Sequence, residues 1–150
     1  WKVTVLLETT AGQGNSVGHR FEHIRDIMAS VKRREKLGVC FDTCHAFAAG
    51  YDISNAESYT ATFAEFDRII GLNHLKLFHV NDSKKICGSR VDRHEHIGQG
   101  EIGPEAFRLL FTDKRYIDID KILETPVDDV RDDRDNLEYV EQLAAERATA

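Results

Sequence analysis

Four short apolar runs mark the chain: WKVTVLLE (1–8), LGVCFD (37–42), LKLFHV (75–80) and DKILE (120–124). Dense, partly β-branched runs of this length predict buried strands. Between them, apolar residues recur every three or four positions, the period of an amphipathic helix. Phe21, Ile24, Ile27, Met28 and Val31 form the first such stripe. A second helix is expected to start near Ser54, where Ser54 and Glu57 match the S-x-x-E capping box, with Phe63, Phe66, Ile69 and Ile70 facing inward. Gly103-Pro104-Glu105 opens a third, with proline at its first position and Phe107, Leu110 and Phe111 on its inner face. Pro126 stops the fourth strand, and a last helix over roughly 132–146 presents Leu137, Val140, Leu143 and Ala144. Strands alternating with amphipathic helices in this way predict a parallel α/β sheet in one unit. Only HVNDSKKICGSRVDRHEHIGQG (79–100) lacks a period after its opening residues, and it reads as a long loop.

Composition narrows the options. The chain is 41% hydrophobic and 31% charged over 150 residues, the profile of a folded domain. No apolar run approaches the ~20 residues of a membrane helix. The formal net charge of −6 argues against binding nucleic acid by bulk charge, though not against a local cationic patch. Cys40, Cys44 and Cys87 give an odd count, which suits a reducing compartment; Cys40 and Cys44 are read as buried or near-site thiols. The run VDDVRDDRDN (127–136) is expected to be a solvated, charged approach to the last helix. The sequence opens on Trp1 with no visible targeting signal, so it reads as cut from something longer, working in the bacterial cytoplasm or, in a eukaryote, the nucleus.

Candidate chemistry sits at the strand ends. Each predicted strand finishes on a ligand-type residue: Glu8, Asp42, His79 and Glu124. Parallel α/β folds build their sites at the C-terminal ends of strands, and four of four is more than turn capping explains. His45 lies three after Asp42, while Asp92 and His94 are two apart, on one side of an extended backbone. Seven mixed nitrogen and oxygen donors suit zinc, manganese or iron better than magnesium or calcium. They are too many for one tetrahedral ion and enough for two, with a carboxylate such as Glu8 free to bridge. Paired cations ~4 Å apart activate water and stabilise the leaving oxygen in phosphodiester hydrolysis. Lys84, Lys85, Arg90 and Arg93 share a loop with these ligands, which favours phosphate positioning over ordinary surface charge. His19, His23 and His74 read as structural; His96 is equally compatible with supporting a ligand, touching DNA or doing neither. The two GQG stretches, 12–14 and 98–100, are at least as well explained by turn geometry as by phosphate binding.

GVCFDTCHAFAAGYD (38–52) and HVNDSKKICGSRVDRHEHIGQG (79–100) resemble two long motifs of the endonuclease IV family of apurinic/apyrimidinic endonucleases, and LLETTAGQGNSVG (6–18) and ILETP (122–126) fit its neighbouring metal-bearing strands. The resemblance covers essentially the whole chain apart from the acidic stretch near the C-terminus. It implies a (β/α)8 TIM barrel of the xylose-isomerase-like type, three zinc ions per complete enzyme, and incision of double-stranded DNA 5′ to abasic sites in base excision repair. By the same resemblance Glu8 would bridge the first and second zinc, Asp42, His79 and Glu124 would complete the second, and His45, Asp92 and His94 would hold the third. Glu124 would also orient or deprotonate the attacking water, with Glu8 as the other catalytic carboxylate. Arg93 would face the DNA, joined by Lys84 and Arg90.

Four β-α units make half a barrel, so residues 1–150 are expected to be its C-terminal half, with open strand edges. Two further histidines of the family's first zinc come from strands of the N-terminal half, which these residues do not include. The missing half is then an obligatory partner, the whole otherwise a monomer, and the chain alone an incomplete enzyme with two of three zinc sites largely encoded. Manganese is the alternative metal. Two readings compete: a xylose-isomerase-like sugar isomerase or epimerase, which has no need of the His45, Asp92 and His94 set, and an inactive fragment that binds metal or DNA.

Overall fold

In a computed structural model, residues 3–146 are described; Trp1 and Lys2 of the first expected strand lie outside them. Strands β1 (Val5–Glu8), β2 (Leu37–Asp42), β3 (Leu75–Val80) and β6 (Asp120–Leu123) form one parallel sheet in the order β1-β2-β3-β6. Helices α1 (Phe21–Ser30), α3 (Ala56–Ile69), α4 (Pro104–Thr112) and α5 (Asp133–Ala145) follow the four strands in turn. This is the right number and direction of units for half a (β/α)8 barrel.

The register decides what each face carries. Glu8 pairs with Cys40, Asp42 with His79, and His79 with Ile122. Successive side chains alternate across a sheet, so Glu8, Cys40, Asp42, His79 and, two past Ile122, Glu124 all point to one side. The opposite face is apolar and sealed: Val39, Phe41, Phe78 and Val80 are fully buried. There Phe41 lies within 6.3 Å, centroid to centroid, of Phe21, Phe63, Phe66 and Phe78. Aromatics from α1, α3, β2 and β3 thus lock two helices onto the central strands.

Several sequence expectations need correction. Strand β1 is shorter than 1–8, and Glu124 falls one residue past β6. Ile27 is 37% exposed and Val31 has already turned extended, so the α1 stripe is Phe21, Ile24 and Met28. The α3 cap is not Ser54 with Glu57: Asn55 holds that place, and its carboxamide oxygen accepts from the N–H groups of Glu57 and Ser58, as an N-cap asparagine does. The capping box lies instead at Asp132 and Asp135 before α5. In α5 Leu137 and Ala144 are exposed and the buried positions are Asn136, Val140 and Leu143. Phe111 of α4 is only half-buried, whereas Phe107 and Leu110 are buried. A short helix, α2 (Thr43–Ala49), went unforeseen, as did the pairing of β4 (Asp82–Ser83) with β5 (His94–Glu95), which makes the expected loop a hairpin-like excursion. No helix among the described residues is long and apolar enough to cross a membrane.

Candidate metal centre

Strand ends and the excursion bring all seven expected residues into one cluster, arranged as two sets that meet at Asp42. In the first set Glu8, Asp42, His79 and Glu124 each offer a donor atom within 4.8 Å of the others. His79 Nδ1 lies 3.2 Å from Glu8 Oε1, 3.2 Å from Glu124 Oε2 and 4.0 Å from Asp42 Oδ2. Three carboxylates around one imidazole nitrogen form a mixed donor set of the kind that binds a first-row cation such as zinc.

The second set is His45, Asp92 and His94. His45 Nε2 lies 3.2 Å from Asp92 Oδ2 and 3.5 Å from His94 Nε2, which is itself 3.4 Å from Asp92 Oδ1. Backbone contacts fix both rings. His45 Nδ1 lies 2.9 Å from the carbonyl of Thr9, and His94 Nδ1 lies 2.9 Å from that of Glu124. A carbonyl can only accept, so each ring carries its proton on Nδ1 and turns Nε2 inward, the orientation a metal-ligating histidine needs. Asp42 and His45 also group with His94, and Cys44 with Asp92 and His94. Cys44 is fully buried, and burial pushes its thiol up to about 12. A neutral thiol is a poor ligand, which agrees with the expectation that Cys44 is a near-site thiol.

Local chain geometry explains why Asp42 can serve both sets. As N-cap of α2 it accepts the His45 N–H through Oδ1 at 2.8 Å, turning His45 back over the strand end. Its other oxygen accepts from Asn81 Nδ2 at 2.8 Å, and Asn81 Oδ1 accepts from the Glu124 N–H at 2.9 Å. Buried Asn81 therefore ties the ligand that ends β2 to the ligand that follows β6. No sequence signal marks this role, because an asparagine just after a strand looks like a turn residue. Gln13 was also missed, and its Oε1 accepts from the Asp92 N–H.

Charge in the cluster favours cations. A hydrogen bond from His45 pulls the Glu8 carboxyl below its usual range against the effect of burial, with His79 adding to the pull. Desolvation pushes Asp42 up. Burial disfavours the charged form of His45, but Glu8, Asp42 and Asp92 outweigh it and hold the imidazolium to about 9. A metal ion must then displace a proton from His45 at any pH below about 9, so metal affinity of this set rises with pH. One proton released corresponds to about a tenfold gain per pH unit. Calorimetric zinc titrations between about pH 6.5 and 8, in buffers of different ionisation enthalpy, are expected to show that slope and the matching proton release.

A cleft of about 370 Å³ opens beside the second set, lined by Gln13, His45, Asp92 and Arg93 among others. Lys84, Arg90 and Arg93 are exposed on the same excursion, with Lys84 Nζ 4.0 Å from Glu95. His96 points away from the cluster. It is buried, with Nε2 3.0 Å from Asp128 and Nδ1 3.1 Å from Asn136, which removes it as a DNA contact. The run 127–136 is a solvated, charged entry to α5 as expected, with 127–130 and 132–135 exposed, and it also anchors the excursion: Asp128 and Asn136 hold His96, and Arg131 donates to the Ile97 carbonyl. His19 and His23 stack edge-on near the first glycine loop, where Gly12 and Gly14 take positive φ, so turn geometry accounts for that GQG.

The chain matches the xylose isomerase-like TIM barrel family over residues 2–147. It is 56% identical over 93% of its length to "Probable endonuclease 4" of Chloroflexus aurantiacus, and 54% identical over 97% to the protein of the same name from Geobacter sulfurreducens. Endonuclease IV from Thermus thermophilus superposes with a TM-score of 0.80 at 39% identity over 98% of the chain and 51% of that structure. The chain spans about half the length of the curated relatives it matches.

Proposed function

The chain belongs to the xylose isomerase-like TIM barrel family, and from that premise we propose that it is the C-terminal half of an endonuclease IV-type enzyme, incising double-stranded DNA 5′ to abasic sites with zinc as the preferred metal. The observation that carries this reading is the second ligand set. An aldose–ketose isomerase has work for Glu8, Asp42, His79 and Glu124, but none for His45, Asp92 and His94 aimed at a common point 3.2–3.5 Å from one another. Adjacent sets match the needs of phosphodiester hydrolysis, where charge develops on both the attacking and the leaving oxygen. The relatives named endonuclease 4 support the same class.

Bound divalent ions would supply Lewis acidity toward the phosphodiester and lower the pKa of the attacking water. The chain's own side chains do the rest. Glu8 lies 3.2 Å from His79 Nδ1 and 3.3 Å from His45 Nδ1; the His45 contact is to the nitrogen turned away from the second set, so Glu8 belongs to the first set and steadies the His45 ring beside it. Glu124, 44% exposed, is the carboxylate most open to solvent among the first four, and so the one placed to orient or accept a proton from water. Arg93 beside the cleft, with Lys84 and Arg90, offers cations to backbone phosphates, contacts that position a duplex without reading its sequence. The remaining half of the barrel is the partner that completes the lesion pocket and the first zinc.

The test is a nicking assay on duplex DNA carrying a single abasic site, with the full-length protein that contains this chain. Incision leaving a 3′-hydroxyl, lost with a chelator and restored by zinc or manganese, is the expected result. Aldose–ketose turnover without nicking would sink the proposal.

A further inference from the structure

The excursion that carries Asp92, Arg93 and His94 is closed at its root by a carboxylate belonging to neither ligand set. Asp82 is fully buried. Its Oδ1 accepts from the N–H groups of Ser83 at 2.7 Å and Ile102 at 3.0 Å, and its Oδ2 from those of Gly98 at 2.9 Å and Gly100 at 3.0 Å. One side chain thus gathers donors from both ends of the 83–102 segment. The fit is tight: a Cβ on Gly100 would collide with the Asp82 carboxylate and the Ser83 carbonyl. The second GQG is therefore a cradle for an internal anion. Asp82 also heads the short ladder in which it faces Glu95, and Ser83 faces His94. The carboxylate that closes the segment therefore sits one residue from the backbone that sets the height of His94 against His45.

We infer that Asp82 is the positioning residue of the second metal set: its four backbone contacts fix Asp92 and His94 against His45, while the first set stands without it. The inference rests on the two-set reading above. Glu8, Asp42, His79 and Glu124 are held by the sheet and by Asn81, and none of them lies on the segment that Asp82 closes. Removing the carboxylate leaves four donors short of an acceptor, those of Ser83 and Ile102 buried and those of Gly98 and Gly100 partly so, so the segment must open to solvate them.

The experiment measures zinc per chain at buffered free zinc, with secondary structure by circular dichroism, for the wild-type full chain, Asp82→Asn, Gly100→Ala and, as the reference for losing the second set alone, His45→Ala. Asp82→Asn turns one acceptor into a donor facing Gly98 and Gly100; Gly100→Ala attacks the same contact from the other side without changing charge. Both are expected to keep the wild-type dichroism and the ion of the first set, and to weaken the second set by about 10–100-fold, the usual scale for losing a residue that orients ligands. The inference is overturned if either variant binds as many zinc ions, and as tightly, as the wild type does. It is overturned equally if both ions and the helical signal disappear together, since Asp82 would then hold the fold and not the ligands. A wild-type chain that binds no zinc would overturn the two-set reading itself, and is told apart from the other outcomes by its occurring without any substitution.

Discussion

Replacing Asp42 with alanine is expected to cut incision by about a hundred- to a thousandfold, the scale seen when a single preorganised charge-stabilising group is lost. Among the described residues, no other ligand is grouped both with Glu8, His79 and Glu124 and with His45 and His94. Its Oδ2 lies 4.0 Å from His79 Nδ1, 3.7 Å from His45 Nδ1 and 3.9 Å from His94 Nε2, and it belongs to ligand groups on both sides of the cluster. The substitution also removes the N-cap of α2, worth about 1 kcal/mol, and leaves Asn81 Nδ2 buried without its acceptor. Asp42→Asn separates these effects. It can keep the cap through Oδ1 but loses the charge and turns its amide N–H toward the Asn81 Nδ2 donor, so activity should fall almost as far while stability drops by about 1–3 kcal/mol. Nicking rates read beside the thermal midpoint of each variant check the pair. An Asp42→Ala protein within about tenfold of wild type would mean that the two sets do not meet at this carboxylate.

Phe41→Ala is expected to cost about 3–5 kcal/mol, the range for truncating a fully buried phenylalanine. At about 2–4 °C per kcal/mol for a chain of this size, the thermal midpoint should drop by about 10 °C. Phe41 sits on the central strand β2, alternating with Asp42, so its ring joins the aromatic cluster on the face opposite the ligands. α1 and α3 close around that ring through Phe21, Phe63 and Phe66. Zinc content should be retained at low temperature, because the ligand side of the sheet is untouched. Thermal melts with metal analysis below the transition test both halves of this expectation.

Strand positions were legible because nothing competes with burial there: 37–42 and 75–80 coincide with β2 and β3. Residues at the centre of a sheet are apolar for one reason only. The ligand candidates were legible from the same logic, since a charged residue that ends an apolar strand needs an explanation. What stayed hidden depended on partners far along the chain. Ser54 and Asn55 are both good caps, and only the backbone path selects Asn55. Leu137 fits the helical stripe, yet α5 turns Asn136 inward to meet His96, trading an apolar contact for a hydrogen bond across 40 positions. Asn81 and Asp82 have the composition of a turn, but their work is to hold together segments that the sequence keeps apart.

Across the sheet, exposure rises from the centre outward. From Gly38 onward every residue of β2 is buried, whereas β1 and β6 carry only exposed and partly buried positions. Backbone opening follows burial, so in residues 3–146 taken without the other half of the barrel the amides of the outer strands exchange with solvent soonest and those of the middle pair last. The first ligand set takes Asp42 and His79 from the slow strands, and Glu8 and Glu124 from the ends of the fast ones. An ion held by all four would work as a cross-sheet staple, tying β1 and the residue after β6 to the most buried strands and turning part of its binding energy into mechanical order across the sheet.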